Sequence, residues 1–399
     1  MSRSEDLPDL TDGRLYSEGD PHTAWRRWRT EAPVAWHEPM GFWAVTGHEP
    51  AKEVLSDWRR FTSTNGTVLR PDTSAPFPGA GRMLVLTDPP RHTEIRRAIA
   101  HLFKPRAVAQ LQGVAREVVR DLLEQARSRQ ECDFVEDVAA KIPLAVLAGV
   151  LGILQEDVPA VADAAARAAA GGTDVGDAGA VAAHNDVMLH YYRRIRAVER
   201  EPGDDLVSAL VTARQAGLEL TDEEILLTCD NVVVAATETA TQAVSGGLLA
   251  LLERPAVWDG LRAGRFPLAT AAEEILRWTS PATHIMRTAV ADTRMGDAEI
   301  KAGDAVAVWV PSANRDESVF VGADELRLDR EPNPHLAFGA GTHFCIGAAV
   351  VRVVLIALLE ELISLRASVS LAGSPRHTSS WAVWGLASLP IAFGPHDTA

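Results

Sequence analysis

A lone cysteine lies in a glycine-rich segment that leads directly into an apolar stretch of helical composition. The segment reads Phe338-Gly339-Ala340-Gly341-Thr342-His343-Phe344-Cys345-Ile346-Gly347, and the apolar stretch covers residues 348–359. Glycines permit tight turns and the close approach of a large group. A cysteine at the start of a helix lies near unpaired N–H groups and the positive end of the helix dipole, which favour a thiolate.

Such a thiolate could be a nucleophile, a redox switch or a metal ligand. A nucleophile needs a base and an orienting group, a redox switch needs a second cysteine, and structural zinc needs three more ligands. His343 is the only candidate nearby in the sequence, and the other cysteines, Cys132 and Cys229, are far from it. The remaining interpretation is a single soft ligand to an iron that is held mainly by a macrocycle.

Composition excludes several classes of protein. The chain has 399 residues, of which 47% are hydrophobic and 23% charged, and a net charge of −15 argues against nucleic acid and anionic membranes as main partners. Three scattered cysteines are too few for a disulfide framework and fit a reducing compartment. Residues 1–20 contain no apolar run, and the apolar stretch 142–154 is too short to span a membrane. We therefore expect a cytoplasmic protein.

Helical periodicity dominates the chain, with a few short strand signals. The predicted elements are a helix over 23–31, a hairpin over 34–36 and 42–45, a helix from Pro50 to about Ser56, and helices across 107–200. The pattern Thr221-Asp222-Glu223-Glu224 is a capping box that starts a helix predicted to reach Glu253. Its middle carries a polar cluster over residues 237–239. Buried polar groups are costly unless they are satisfied, so this cluster indicates a function.

The ten residues 338–347 resemble the haem-binding loop of the cytochromes P450, Phe-Gly-x-Gly-x-His-x-Cys-x-Gly, at every fixed position. The resemblance implies a mainly α fold with a small β region, in which a single triangular helical domain encloses haem b (iron protoporphyrin IX). We expect residues 21–399 to form this catalytic domain and residues 1–20 to form a flexible N-terminal segment.

The resemblance implies roles for particular residues. Those expected to bind the cofactor are Cys345, as the iron ligand, with Phe338, Gly339, His343 and Gly347 in the same loop, and His92, Arg96 and Arg287 at the haem propionates. Glu238 and Thr239 match the acid–alcohol pair that delivers protons to bound dioxygen. A buried network that holds the cysteine loop is expected from Glu274, Arg277 and Arg330.

The family pattern also predicts where the substrate lies. The expected pocket residues are Ala235, Ala236, Thr283, His284, Ile285, Met286 and Trp384. The loop over residues 63–82 would cover the distal face of the haem, and the glycine-rich residues 171–179 would form a lid or a plain interhelical loop. Val354 replaces a customary glutamate and is expected to alter surface contacts, and Glu317 stands where proline is usual.

The implied reaction is the insertion of one oxygen atom from dioxygen into a small lipophilic or natural-product-type substrate. Because the sequence shows no fused reductase, we expect electrons from NAD(P)H through a separate ferredoxin reductase and ferredoxin. Five basic residues between positions 91 and 106 predict a docking patch for an acidic partner. The alternative is that most of these side chains only contact haem or solvent. The alternatives are P450-type oxidative coupling, cyclisation or peroxide-driven chemistry, and a haem-thiolate binding or sensing protein without turnover.

Overall fold

α-Helices make up most of the computed structural model, which describes residues 7–70, 77, 79–170, 177–365 and 367–396. The fourteen helices in these residues are α1 Gly13–Ser17, α2 Pro21–Glu31, α3 His48–Ser56, α4 Arg91–Ile99, α5 Pro105–Ser128, α6 Ile142–Leu151, α7 Val158–Ala170, α8 Ala178–Val198, α9 Leu206–Gln215, α10 Asp222–Leu252, α11 Pro255–Arg262, α12 Leu268–Thr279, α13 Val310–Ala313 and α14 Ala348–Ser364. The expected mainly α fold with a small β region is confirmed.

Short strands form four small sheets within the described residues. The strands are β1 Val34–His37, β2 Phe42–Val45, β3 Phe61–Thr62, β4 Glu131–Asp133, β5 His284–Ala289, β6 Thr293–Met295, β7 Ala298–Ile300, β8 Ala305–Trp309, β9 Ala367–Leu371, β10 Arg376–His377, β11 Leu386–Ser388 and β12 Pro390–His396. The largest sheet has the order β1-β2-β8-β5-β3, and the others are β4-β12-β9, β10-β11 and β6-β7. The predicted hairpin is the β1-β2 pair, in register from Val34 opposite Val45 to His37 opposite Phe42.

The long helix α10 passes through the centre of the molecule. Its N-terminus is the predicted capping box, in which Thr221 N donates to Glu224 Oε2 at 2.9 Å and Glu224 N donates to Thr221 Oγ1 at 3.2 Å. Its 31 residues make a rod of about 46 Å. One apolar core joins it to α5, α12 and α14, and a second joins it to α7, α8 and α9. Most of its residues are therefore buried, as the continuous apolar pattern predicts.

The described part of the N-terminal segment packs against the rest of the chain. Leu10 and Tyr16 are buried, and Tyr16 Oη donates to Leu10 O at 2.7 Å. Both side chains belong to an apolar cluster with α2 and β8. This packing differs from the flexible segment expected over residues 1–20, because two large side chains there gain burial. We propose that the catalytic domain begins before residue 21.

The helix α4 begins without the side-chain cap that the preceding residues could provide. Thr87 and Asp88 precede the helix that contains His92 and are residue types that often cap helices, but α4 begins after Pro90 without a side-chain cap, because Asp88 bonds to other groups. Much of the expected lid, residues 171–176, and residues 71–76 and 78 of the expected distal loop lie outside the described residues. No helix in the described ranges combines the length and the apolar character needed to cross a bilayer.

Candidate active site

The cysteine loop is held between α3 and α14. Gly339 and Gly341 have φ angles of +69° and +67°, conformations that glycine adopts without strain. A Cβ atom on Gly341 would lie 2.6 Å from Ser56 Cα, so no larger residue fits against the end of α3. Cys345 N donates to Phe338 O at 2.9 Å and closes the loop. These contacts fix the sulfur-bearing residue just before α14.

The Cys345 thiol lies in a buried setting that opposes its ionisation. Burial raises the pKa of this thiol, whereas the backbone N–H groups of Gly347 and Ala348 and the guanidinium groups of Arg96 and Arg352 act in the opposite direction. The helix-terminus effect expected from the sequence is present but is outweighed. A metal cation bound to the sulfur would reverse this balance, because a coordinating thiol loses its proton.

Two adjoining cavities, of about 210 Å³ and 300 Å³, lie between the cysteine loop and α10. Seven residues line both of them: Val85, Ala235, Thr239, Ala240, His343, Cys345 and Val351. The other walls are mainly apolar. Cys345 and the middle of α10 therefore line the same space.

Basic side chains gather at these cavities. The rings of His92 and His343 lie 4.3 Å apart between centroids, and Arg96 and Arg287 also line the cavity walls. His92 Nδ1 is buried and has no hydrogen-bond partner among the described residues. Burial lowers the pKa of Arg287 to about 10, and the nearby Asp88 only partly offsets this effect. The cluster therefore suits a ligand that carries carboxylates.

Asp88 and Ser63, which the sequence analysis did not assign to the site, support His343. Ser63 Oγ lies 3.2 Å from His343 Nε2 and 3.0 Å from Asp88 Oδ1. Burial alone would raise the pKa of Asp88, but hydrogen bonds from His343, Thr62 and Ser63 outweigh it and lower the pKa to about 2. Asp88 is therefore ionised beside the imidazole. The local sequence Asp88-Pro89-Pro90 is typical of a helix start and does not indicate this contact with His343.

Threonines in the middle of α10 bond back to their own helix. Thr239 Oγ1 donates to Ala235 O at 2.9 Å, and Thr237 and Thr241 make the equivalent bonds one turn back. Of these three threonines, Thr239 lines both cavities and the others line neither. Its hydroxyl oxygen can still accept a hydrogen bond from a group in the cavity. Ala236 lines the smaller cavity and Ala235 lines both, as expected for the pocket.

The Glu238 carboxyl does not line either cavity. It follows Ala236 and Thr237 on α10, and each residue turns a helix by about 100°. No hydrogen bond from another part of the described chain reaches its side chain. Burial raises its pKa to about 7, so that protonated and ionised forms coexist at neutral pH. The structure thus brings Thr239, but not Glu238, to the cavity wall.

Comparison with known proteins assigns the family. Residues 267–366, which include the cysteine loop, match the family model described as Cytochrome P450. Cytochrome P450 NovI from Streptomyces niveus is 34% identical over 392 residues, which cover 96% of this chain and 95% of the relative. The chain belongs to the cytochrome P450 family.

Further relatives of this P450 agree in activity and fold. Steroid C26-monooxygenase from Mycolicibacterium smegmatis is 32% identical over 394 residues, 97% of this chain and 96% of the relative. The crystal structure of P450 OxyD, which is involved in the biosynthesis of vancomycin-type antibiotics, superposes with a TM-score of 0.89 at 34% identity. The superposition covers 97% of this chain and 100% of the OxyD chain. The P450 is therefore a monooxygenase with a haem-thiolate cofactor.

The residues present in the P450 fit that cofactor. One partly buried thiol, apolar walls and a basic cluster with an unpartnered His92 Nδ1 suit a ring that brings its own nitrogen ligands and carries acidic substituents. Clusters of three or more His, Cys, Asp or Glu able to hold a metal do not occur in the described part of the chain.

Two of the four residues 283–286 that were expected at the pocket line a cavity. His284 and Ile285 line the larger cavity, whereas Thr283 and Met286 line neither. Thr283 Oγ1 instead accepts a hydrogen bond from Trp384 N at 2.8 Å. Met286 packs into the cluster of α2 and β8, because successive side chains on β5 point to opposite faces.

Trp384 also lies outside the expected pocket. Its ring contacts Trp25, His22 and His377 at centroid distances of 5.5, 5.3 and 4.9 Å. The two residues before it, Ala382 and Val383, line the larger cavity in its place. The loop 378–385 between β10 and β11, called the hairpin tip below, therefore reaches the larger cavity through small side chains, whereas the Trp384 ring packs toward α2.

Glu274 joins two arginines in the interior of the P450. Arg277 Nε and Nη2 each donate to its carboxylate at 2.8 Å, and Arg330 Nε donates at 3.0 Å. Arg327 N and Asn333 Nδ2 add hydrogen bonds at 2.8 and 3.2 Å. The network ties α12 to the irregular segment that precedes the cysteine loop.

Two departures from the family pattern have clear structural settings. Glu317, in the position usual for proline, binds Arg29 of α2 through both carboxylate oxygens at 2.9 and 3.1 Å. Val354 was expected to alter surface contacts, but it is 1% exposed and lines the smaller cavity. The expectation is wrong because α14 is buried on this face, so valine here affects core packing.

Proposed function

We propose that this P450 inserts one oxygen atom from dioxygen into a small lipophilic or natural-product-type substrate, with haem b bound through Cys345 Sγ. The observation that carries this proposal is the position of Cys345, which lines two largely apolar cavities together with Thr239 of α10. When bound, a haem-thiolate supplies the iron chemistry that activates dioxygen.

The chain's own residues would bind and orient the cofactor. His92, Arg96, Arg287 and His343 would pair with the propionates, since all four line the cavities and three of them are strongly buried. The backbone of the loop at Phe338, Gly339 and Gly347 also lines the cavities, which allows close approach to the ring. Glu274, Arg277 and Arg330 would hold this loop in place without touching the reacting atoms.

Proton delivery would come from α10. The Thr239 hydroxyl lies in the cavity wall and can hold and pass a proton toward bound dioxygen. Glu238 is proposed as the group that exchanges protons behind it, because its pKa of about 7 allows both gain and loss of a proton near neutral pH. The apolar walls would exclude other water from the site.

The substrate class is proposed from the walls and from the relatives. Apolar side chains such as Leu84, Val85, Phe103, Leu147 and Ile285 surround the cavities. One relative is named a steroid monooxygenase, and structural neighbours were solved with testosterone and with a fatty acid on an acyl carrier protein. Screening such compounds for the low-spin to high-spin shift of the haem, seen in the Soret band, would identify a working substrate.

Thr239→Ala should uncouple electron use from product formation. Removing the hydroxyl removes the proton donor at the cavity wall, so product per electron pair should fall about tenfold or more while oxygen consumption continues. The measurement compares oxidised NAD(P)H, oxygen consumed and product, using a surrogate ferredoxin and reductase and a substrate from the Soret screen.

Thr241→Ala is the matched control, since Thr241 makes the same backbone bond but lines neither cavity. It should remain coupled. Equal coupling in the Thr239 variant and the native chain would contradict the proton-delivery role. Oxygen uptake that no substrate stimulates would favour a binding or sensing protein, and turnover supported only by peroxide would favour the peroxide-driven alternative.

A basic surface beside the cysteine loop is proposed to receive an acidic ferredoxin, which would carry electrons from NAD(P)H through its reductase. Arg91 is paired with Glu224, and Arg96 donates to Phe344 O at 2.6 Å, so both are engaged. The other three basic residues of segment 91–106 are exposed and form no ion pair with another described residue: Arg97, Lys104 and Arg106. Phe344, whose carbonyl accepts the hydrogen bond from Arg96, is 41% exposed.

Reversing the charge in the double variant Lys104→Glu, Arg106→Glu should slow reduction by ferredoxin about tenfold at low salt, because steering of an acidic partner is lost. Stopped-flow reduction under carbon monoxide at several salt concentrations measures this, and the variant should lose most of the salt dependence. Arg294→Glu, on β6, is the control, since its side chain is 70% exposed. An unchanged rate in the double variant would place the docking surface elsewhere.

A further inference from the structure

A third cavity, of about 450 Å³, lies behind the hairpin tip. It is formed by the start of α2, the C-terminal half of α10, the end of α12 and residues 384–386, and it shares no lining residue with the two cavities at Cys345. Its size is in the range of small-molecule sites. Nothing in the proposed monooxygenation uses it.

The cavity contains a buried arginine with an unused donor. The side chain of Arg315 is 9% exposed, and its guanidinium carbon lies 3.9 Å from the centroid of the Trp278 ring. Arg315 Nε is buried and has no hydrogen-bond partner among the described residues. The nearest carboxylate, Asp324, is 3.7 Å from Nη1 and is itself paired with Arg26 at the surface. Arg315 is therefore only weakly compensated.

The charges around Arg315 also favour a bound anion. Burial lowers the pKa of Arg315 to about 9, and repulsion from Arg277 adds to this effect more than Asp324 offsets it. A second cation of the cavity, Arg254, lies over the same indole ring at 4.5 Å. An anion placed beside the guanidinium would relieve both burial and repulsion.

The carboxylates that line the cavity are already engaged. Asp20 caps α2 by accepting from the backbone N–H groups of His22 and Thr23 at 3.0 and 3.2 Å. Glu253 accepts from Arg254 Nη1 at 3.3 Å. Neither forms a hydrogen bond with Arg315 in the described structure. A bound ligand could therefore supply the hydrogen-bond acceptor that Arg315 Nε lacks.

A second unpartnered atom lies on the same wall. His22 Nδ1 is buried and lacks a hydrogen-bond partner within the described ranges. Burial lowers the pKa of this imidazole well below its ordinary value, and Arg315 is the strongest of the nearby charges that add to the effect, so the ring is neutral. A neutral imidazole can donate one hydrogen bond without adding charge.

We propose that this cavity binds a small carboxylic acid with an apolar body, its carboxylate on Arg315 and within reach of His22. The planar guanidinium edge matches the two oxygens of a carboxylate. Trp278 and Trp384 line the same cavity and offer aromatic surface to an apolar substituent. This combination favours an organic acid over a purely inorganic anion.

The proposed carboxylate site lies next to one wall of the larger cavity at Cys345. Gln242 of α10 forms two hydrogen bonds with the first residue of β11, directly after the hairpin tip: it accepts from Leu386 N at 2.6 Å and donates to Leu386 O at 3.2 Å. Gln242 lines the third cavity, and Ala382 and Val383 of the same tip line the cavity at Cys345. The hairpin tip thus separates the carboxylate site from the substrate.

The test uses the haem-loaded full chain and isothermal titration calorimetry with benzoate, at constant ionic strength set by chloride. We expect saturable binding of one benzoate per chain. Imidazole, which occupies the haem iron, should leave this heat unchanged. Loss of the heat in imidazole would place benzoate at the haem, and absence of saturable heat in the native chain would overturn the proposal.

Two variants test the residues. Arg315→Lys keeps the charge but removes Nε, and it should weaken benzoate binding about tenfold; His22→Phe keeps the ring packing, removes Nδ1, and should also weaken it. Arg294→Lys on the surface should bind as the native chain does. Equal binding by all three variants would overturn the assignment. Inorganic phosphate binding more tightly than benzoate at Arg315 would overturn the carboxylate assignment.

Discussion

Replacement of Cys345 by histidine is expected to yield a folded haem protein that no longer inserts oxygen. The sulfur is the one soft donor at the junction of the two cavities, and an anionic sulfur is the ligand that favours O–O cleavage. A neutral imidazole at the same place would hold the iron without that electron donation. Product formation should fall below detection. The basic cluster at the cavities should still bind the haem propionates.

The Soret band of the reduced carbonyl adduct is the measurement that separates these outcomes. The native chain should absorb at the wavelength of thiolate-ligated haem, and the histidine variant at that of imidazole-ligated haem. Cys132→Ser is the matched control, because Cys132 is half-buried in β4 and lines neither cavity. A histidine variant that kept the thiolate-type spectrum would show that the ligand is not at position 345.

Local constraints explain why the cysteine loop could be predicted from the sequence. The positive φ of Gly341 favours glycine, and the helix after it follows from a run of apolar residues that only Arg352 interrupts. The capping box at Thr221 likewise specifies the start of α10 with residues only three positions apart. These features can be predicted because the interactions that determine them join residues that are close together in the sequence.

Other parts of the site depend on contacts between distant segments. The direction of the Trp384 ring is set by Trp25 of α2, more than three hundred residues earlier, and no local pattern specifies it. Asp88 and Ser63 join the site only because β3 and the segment before α4 meet at His343. Met286, by contrast, follows a local rule, because strand alternation on β5 places it on the face opposite Ile285, in the buried cluster of α2 and β8.

Glu274→Gln is expected to destabilise the P450 by about 3–5 kcal/mol, the cost of leaving buried charges without their partner. Glu274 and Arg277 are fully buried and Arg330 is nearly so, and the single carboxylate accepts from both guanidinium groups. A neutral amide would leave two buried cations facing one another. Typical proteins have only about 5–15 kcal/mol of stability, so haem loading should also fall.

The neighbouring residue provides a control for this variant on the same helix. Glu273 is partly exposed and pairs with Arg352 and His335; burial would raise its pKa, but these two hydrogen-bond partners outweigh it and lower the pKa to about 2. Because solvent can replace part of its bonds, Glu273→Gln should cost only about 1–2 kcal/mol. Urea unfolding followed by circular dichroism measures both. Equal stability losses would mean that the Glu274 network does not hold the cysteine loop, whereas a selective loss at Glu274, with lower haem content, would show that it does.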